Sequence, residues 1–280
     1  MPNLTSELTE RDLKLFKLLS DFGVISTVQL SKWIFPKVAR TTALRRLRLL
    51  EKRGLIRKRG TLPDATAVWM IDQKGQRLIA GMTENLYFPA HQLEHEITLN
   101  EIRWRLHGLG VVQSWMNERE LRRKAPDRNG FERENLAIPD AVILMKHFGR
   151  PEAFVRLEVE LNLKSNERYK RLFRRTDPYS QGTRAWIWYL VKSRSMGNRI
   201  LRYAKKHADY SLPPVLGFTV IDDFLTDPWS AEFHQLEKAT TLATVMKLSR
   251  PESAVKNTHA HASAHALSTG GLNGNAVSAA

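Results

Sequence analysis

The sequence predicts an α+β chain in two parts, three helices and a hairpin followed by a larger α/β domain with a mixed sheet. Three observations carry this. Apolar residues recur at helical spacing up to about residue 53, the period then switches to short β-rich runs, and from about residue 89 strand-like and helix-like segments alternate. At 280 residues with 42% hydrophobic and 26% charged content, the chain can bury one large or two small cores.

Thr9 precedes Glu10-Arg11-Asp12 as an N-cap before acidic first-turn residues, and Leu13, Phe16, Leu18 and Leu19 continue at helical spacing. Ser26 and Gln29 match a capping box, in which hydroxyl and amide satisfy each other's orphan N–H groups; Leu30, Trp33 and Ile34 extend that short helix until Pro36. Thr41–Arg53 reads as a third helix with Leu44, Leu47 and Leu50 inward, closed by Gly54. Leu55–Arg59 and Ala67–Ile71 read as strands joined by the turn Gly60–Thr66. Three helices and a hairpin predict a winged helix over residues 1–88, including a closing helix at Asp72–Met82 and a linker from Thr83 to Ala90.

Beyond the linker, His91–His107 predicts a long amphipathic helix and Val111–Trp115 a strand, and Glu118–Glu134 reads as a charged, polar stretch. Strands are expected at Leu136–Met145, Ala153–Leu161, Ala185–Val191 and Val215–Ile221, with helices at Asn166–Arg175 and Met196–Lys206. The second domain is thus expected over residues 89–248. From 249 to 280, Ala, Ser, Asn, Gly and His predominate, too little apolar surface to offset the entropy of ordering, so a disordered tail is expected.

Charge narrows the function. The chain carries 44 Lys+Arg against 29 Asp+Glu, a net +15, which calls for a polyanionic partner. Ten basic residues and one acid, Glu51, lie between Lys37 and Arg59. The third helix and the hairpin therefore predict a duplex-DNA surface made by Arg40, Arg45, Arg46, Arg48, Lys52, Arg57, Lys58 and Arg59. A second basic set, Arg168, Arg171 and Arg175, belongs to a segment with 13 Lys/Arg and two acids between Lys164 and Lys206. With no cysteine, disulfides, thiolate metal sites and thiol catalysis are excluded and a reducing compartment is expected. No apolar run approaches the roughly 18 residues of a membrane span.

The chemistry concentrates at Ile138-Pro139-Asp140 and at Arg156–Lys164. Alternation sends Val155, Leu157, Val159 and Leu161 one way and Arg156, Glu158, Glu160 and Asn162 the other. If the two strands pair with Asp140 opposite Glu158, the midpoint falls on Gly149 inside Phe148-Gly149-Arg150-Pro151, where a turn belongs. Three carboxylates on one face are costly unless neutralised. A hard cation, Mg²⁺ or Mn²⁺, bound by Asp140, Glu158 and Glu160 would do so, with Lys164 assisting electrostatically; pairing with nearby arginines is the other reading. Tyr169, Tyr179, Tyr189 and Tyr203 are weighed as nucleophiles without a distinguishing neighbourhood, Trp186–Leu190 reads as a buried strand, and His91 and His95 stand four apart.

Pro139-Asp140 followed by Glu158-Val159-Glu160 resembles the PD-(D/E)XK restriction-endonuclease-like superfamily. With a winged helix in front, His95-Glu96 on the leading helix and Lys164-Ser165 after the strand, the chain resembles the replication-relaxation family and the related MOB-C relaxases over about residues 7 to 222. The resemblance implies a bacterial, cytoplasmic, metal-dependent endonuclease of plasmid mobilisation that nicks one strand at a transfer origin. Asp140, Glu158 and Glu160 carry over as its acidic cluster. Duplex DNA at a specific site, single-stranded DNA after melting and an accessory mobilisation or coupling protein are the implied partners. Glu160 departs from the pattern, because the superfamily has lysine there and the nearest lysine, Lys164, comes four residues later. The rival function is a non-catalytic DNA-binding regulator or replication accessory protein; a restriction or transposition endonuclease cutting both strands is a third.

Overall fold

The computed structural model describes residues 8–79, 88–124, 138–145, 153–174, 186–207, 215–236 and 238–246. The expected tail and its histidines lie outside them. The chain is α+β, and its contacts divide it into two compact units between Glu101 and Ile102.

In the first unit, α1 (Glu10–Phe22) opens on a capping box in which Thr9 and Asp12 satisfy each other's backbone N–H. A two-residue strand, β1 (Ile25–Ser26), leads into α2 (Thr27–Trp33), and Ser26 and Gln29 form the second capping box the sequence predicted. The third helix, α3 (Arg40–Lys52), buries Ala43, Leu47 and Leu50. Its inward row is thus Ala43 where Leu44 was expected, and Leu44 is half-buried. It ends in a Schellman motif: Gly54 takes φ +70°, its N–H bonds to the Glu51 carbonyl, and Leu55 N–H bonds to the Leu50 carbonyl. Chain reversal then forms β2 (Ile56–Thr61) and β3 (Ala67–Ile71), and β3 is the centre of an antiparallel sheet ordered β1-β3-β2. Asp72 caps α4 (Gln73–Gln76), which runs into a 3₁₀ turn at Arg77–Ile79.

Phe88, Leu93, Val24, Val68 and Met70 form one cluster, so Phe88 of the expected linker and Leu93 beyond it are packed within the first unit. Asn100 donates to the Val24 carbonyl at 2.6 Å, and Gln29 donates to the Ile97 carbonyl at 2.8 Å. The division lies inside α5 (Leu93–Gly108), whereas the sequence placed it between 88 and 89. This helix lacks the single apolar stripe expected of it. At about 100° per residue, Leu99, Ile102 and Leu106 share one side while Leu93 and Trp104 lie on the other, and all five are buried.

The second unit is built on a mixed seven-stranded sheet ordered β10-β9-β8-β7-β6-β5-β4. Its strands are β4 (Val112–Asn117), β5 (Ala141–Met145), β6 (Ala153–Glu160), β7 (Trp186–Val191), β8 (Val215–Val220), β9 (Glu232–His234) and β10 (Ala239–Thr241). Pairing is antiparallel from β4 to β6, parallel from β6 to β8 and antiparallel again to β10. After β4 comes α6 (Glu118–Lys124), a helix inside the stretch read as merely polar. The parallel steps need crossovers, supplied by α7 (Asn166–Arg174) and α8 (Arg194–His207). Tyr169, Ile200, Leu201 and Ala204 from these helices pack with Tyr189, Val191, Leu216 and Phe218 of the sheet. Trp188 meets Phe224 of α9 (Ile221–Thr226) edge-on, with centroids 5.6 Å apart. A last short helix, α10 (Leu242–Met246), follows β10.

Candidate functional site

The register of β5 on β6 decides which side chains meet. Ala141 pairs with Leu157 and Val142 with Arg156, so the ladder carried one step outward sets Asp140 opposite Glu158. Asp140 Oδ2 accepts a 2.7 Å hydrogen bond from Val159 N–H, and its carbonyl accepts from Glu118 N–H at 3.0 Å. The carboxylate is thereby tied to the C-terminal end of β6. Arg156, Glu158 and Glu160 share one face of β6 and are buried, at 8%, 7% and 3% exposure. That face lies next to Ile187, Tyr189 and Val191 of β7, under the aromatic core, and not toward open solvent.

Buried charge must be answered, and here neighbouring cations answer much of it. Arg156 binds Glu158 through Nε and Nη2, both at 2.8 Å and both on Oε1. Lys164 Nζ pairs with Glu160 Oε1. Lysine thus reaches the cluster from four residues beyond the position it holds in the superfamily motif. The turn between β6 and α7 carries it there, and Lys164 N–H also donates to the Tyr169 hydroxyl at 3.4 Å. Three carboxylates face two cations.

The electrostatics show how closely these groups sit. Burial pushes the Glu158 carboxyl up, Arg156 opposes that and the charge of Asp140 adds to it. Burial lowers Lys164, against the pull of Glu158 and Asp140. Tyr189 pairs in register with Glu158, and burial first, then the Glu158 charge, raise it well above its ordinary value. Tyr169 is pushed up to about 12, chiefly by burial, and stacks on Tyr203 at 5.4 Å. These are packing groups: a tyrosine without exposed surface, held as the phenol, is a poor nucleophile. Tyr179 lies outside the described residues.

Asp140 and Glu158 offer oxygen donors only, close enough that the charge of Asp140 raises the Glu158 carboxyl, and this donor set suits a hard cation. Among the described residues, no group of three or more His, Cys, Asp or Glu side chains is arranged to hold a metal ion. Arg156 and Tyr189 are cluster members that the sequence reading did not assign. The alternation along β6 had already put Arg156 on the right face, whereas Tyr189 required the β6–β7 register.

The basic residues part company. Arg40, Arg45, Arg48, Lys52, Arg57 and Lys58 are exposed, and Arg59 is half-buried. Arg46 is directed elsewhere, gripping Asp12 of α1 through Nε at 2.9 Å and through Nη2. On α7, Arg168 is exposed, Arg171 belongs to the same helix, and Arg175 lies outside the described residues. His91 sits in a 3₁₀ turn at Ala90–Gln92 and His95 in α5, so the two do not share one continuous helix. Trp188 and Tyr189 are buried, as a core strand requires.

A family model described as replication-relaxation matches residues 16–192. No curated protein and no solved structure matches the chain.

Proposed function

The chain belongs to the replication-relaxation family, and from that membership together with the carboxylates of β5 and β6 we propose that it is a DNA-nicking endonuclease acting site-specifically at a transfer origin of a plasmid or mobile element. The single observation that carries the reading is the register of Asp140 opposite Glu158 with Lys164 brought to the same cluster. On this reading the first unit is a winged helix that binds duplex DNA. The second is a PD-(D/E)XK-like domain.

Asp140 and Glu158, with Glu160 beside them, would hold Mg²⁺ or Mn²⁺. When bound, the ion would polarise a phosphodiester and lower the pKa of an attacking water. The chain's own residues do the rest. Val159 N–H fixes the Asp140 carboxylate, Arg156 opposes the cost of holding charge on Glu158 within the buried face, and Lys164 provides the positive charge that steadies a developing phosphorane. The exposed Arg168 on the adjoining helix suits a flanking phosphate.

The test is nicking of supercoiled DNA that the protein binds, with Mg²⁺ or Mn²⁺ present. Asp140→Asn and Glu158→Gln should each lower the nicking rate by about a hundredfold or more while binding persists. Either variant nicking as fast as the parent sinks the catalytic reading. One observation favours the rival, a non-catalytic DNA-binding regulator: Arg156 and Lys164 already pair with two of the three acids. Calorimetric titration with Mn²⁺ separates the two, since a regulator needs no metal affinity that disappears in Asp140→Asn.

A further inference from the structure

The outer face of α3 contains one residue that a phosphate-binding surface has no use for. At about 100° per residue, Arg45, Arg48, Leu49 and Lys52 fall within about 100° of arc, opposite the buried Ala43, Leu47 and Leu50. Leu49 is 37% exposed, one of four large apolar side chains so exposed among the described residues. Its neighbours on the helix surface are Arg45 at i−4 and Lys52 at i+3, and Arg48 lies about 100° round the helix from it. None of these three has an ion-pair partner among the described residues, whereas Arg46, one position round the helix, is consumed by Asp12. Three unanswered cations to one side of an exposed leucine are complementary to a polyanion that also presents an apolar spot.

Duplex DNA presents such a spot in the thymine C5-methyl group of the major groove, flanked by phosphates and by the acceptor edges of guanine. Resting on the DNA-binding reading above, we propose that Leu49 is a specificity-determining residue that reads a thymine methyl group, with Arg45 and Arg48, which share one side of it, contacting guanine edges or phosphates. Affinity then comes mainly from the cations and sequence choice partly from the leucine. The two contributions respond differently to salt, because a methyl contact releases no counterions.

The experiment uses the full chain. Bound sequences are selected from a random duplex pool, and the preferred duplex is resynthesised with deoxyuridine in place of each thymidine in turn, which removes only the methyl group. At one position deoxyuridine should weaken binding roughly three- to tenfold. Leu49→Ala, a change to an exposed side chain that leaves the core untouched, should erase that difference and keep the dependence of affinity on salt. The inference is overturned if the thymidine preference survives Leu49→Ala, or if no position distinguishes the two bases. Salt-dependent binding without a preferred sequence also overturns it while leaving the DNA-binding reading intact. Failure to bind duplex DNA at all, or preference for an acidic peptide, removes both.

Discussion

Arg46 and its neighbour Arg45 have the same chemistry and opposite surroundings. The Arg46 guanidinium closes on Asp12, whose side chain is 1% exposed, and so ties α3 to α1. Burial alone would raise Asp12, but hydrogen bonds from Arg46 and Thr9 outweigh it and hold the carboxyl below its ordinary value. A carboxylate depressed in the folded state stabilises above its unfolded pKa and loses that contribution as pH falls through the folded one. Arg46→Ala should therefore cost about 2 kcal/mol near neutrality, and the gap from the parent should shrink as pH falls below the ordinary aspartate range; denaturant unfolding at neutral and at acid pH checks it. A variant as stable as the parent at neutral pH rejects the tie. The sequence could place Arg46 on the helix but not pair it with a carboxylate 34 residues away. Asp140 and Glu158 were legible because alternation and the turn expected at Gly149, a residue outside the described ones, point to the register that β5 and β6 adopt. Lys164 was legible as a cation close to the acids, but its pairing with Glu160 was not, since that depends on how the turn beyond β6 folds.

Among elements, the long periodic ones were readable and the short ones were not. Two residues of β1 carry no period and α6 is hidden by its charges, while α5 was readable as a helix but not in its two apolar sides. Gly197 makes the same point inside α8. Helix propensity says that Ala there should stabilise by about 0.5–1 kcal/mol. The packing says otherwise: a Cβ on Gly197 would lie 2.3 Å from the Phe218 ring. That ring is fully buried and stacked on His234 with centroids 4.7 Å apart, so it has little room to move. Overpacking of this kind costs about 1–3 kcal/mol and outweighs propensity. Gly197→Ala is therefore expected to lower the melting temperature, and a higher one would show that α8 slides on the sheet at no cost.

Over the whole molecule, a net charge of +15 is distributed by task. Charge beside the acids is internal, spent in the pairs Arg156–Glu158 and Lys164–Glu160, while Arg45, Arg48 and Lys52 stand exposed on α3 in the other unit. No helix among the described residues is long and apolar enough to cross a membrane. If the exposed set meets phosphates and the internal set serves a reaction, binding and turnover should separate under mutation. Arg45→Ala and Arg48→Ala should each lower the slope of log affinity against log salt by about 0.9, the value for one phosphate contact, and leave the nicking rate at saturating DNA unchanged. Lys164→Met should do the reverse, keeping the salt slope while the saturated rate falls by about a hundredfold. The converse pattern, a salt slope altered by Lys164→Met and unmoved by both arginine variants, would move the DNA backbone onto the acid cluster and leave α3 to another partner. Filter binding across a salt series, run beside nicking under saturating conditions, reads both quantities from the same preparations.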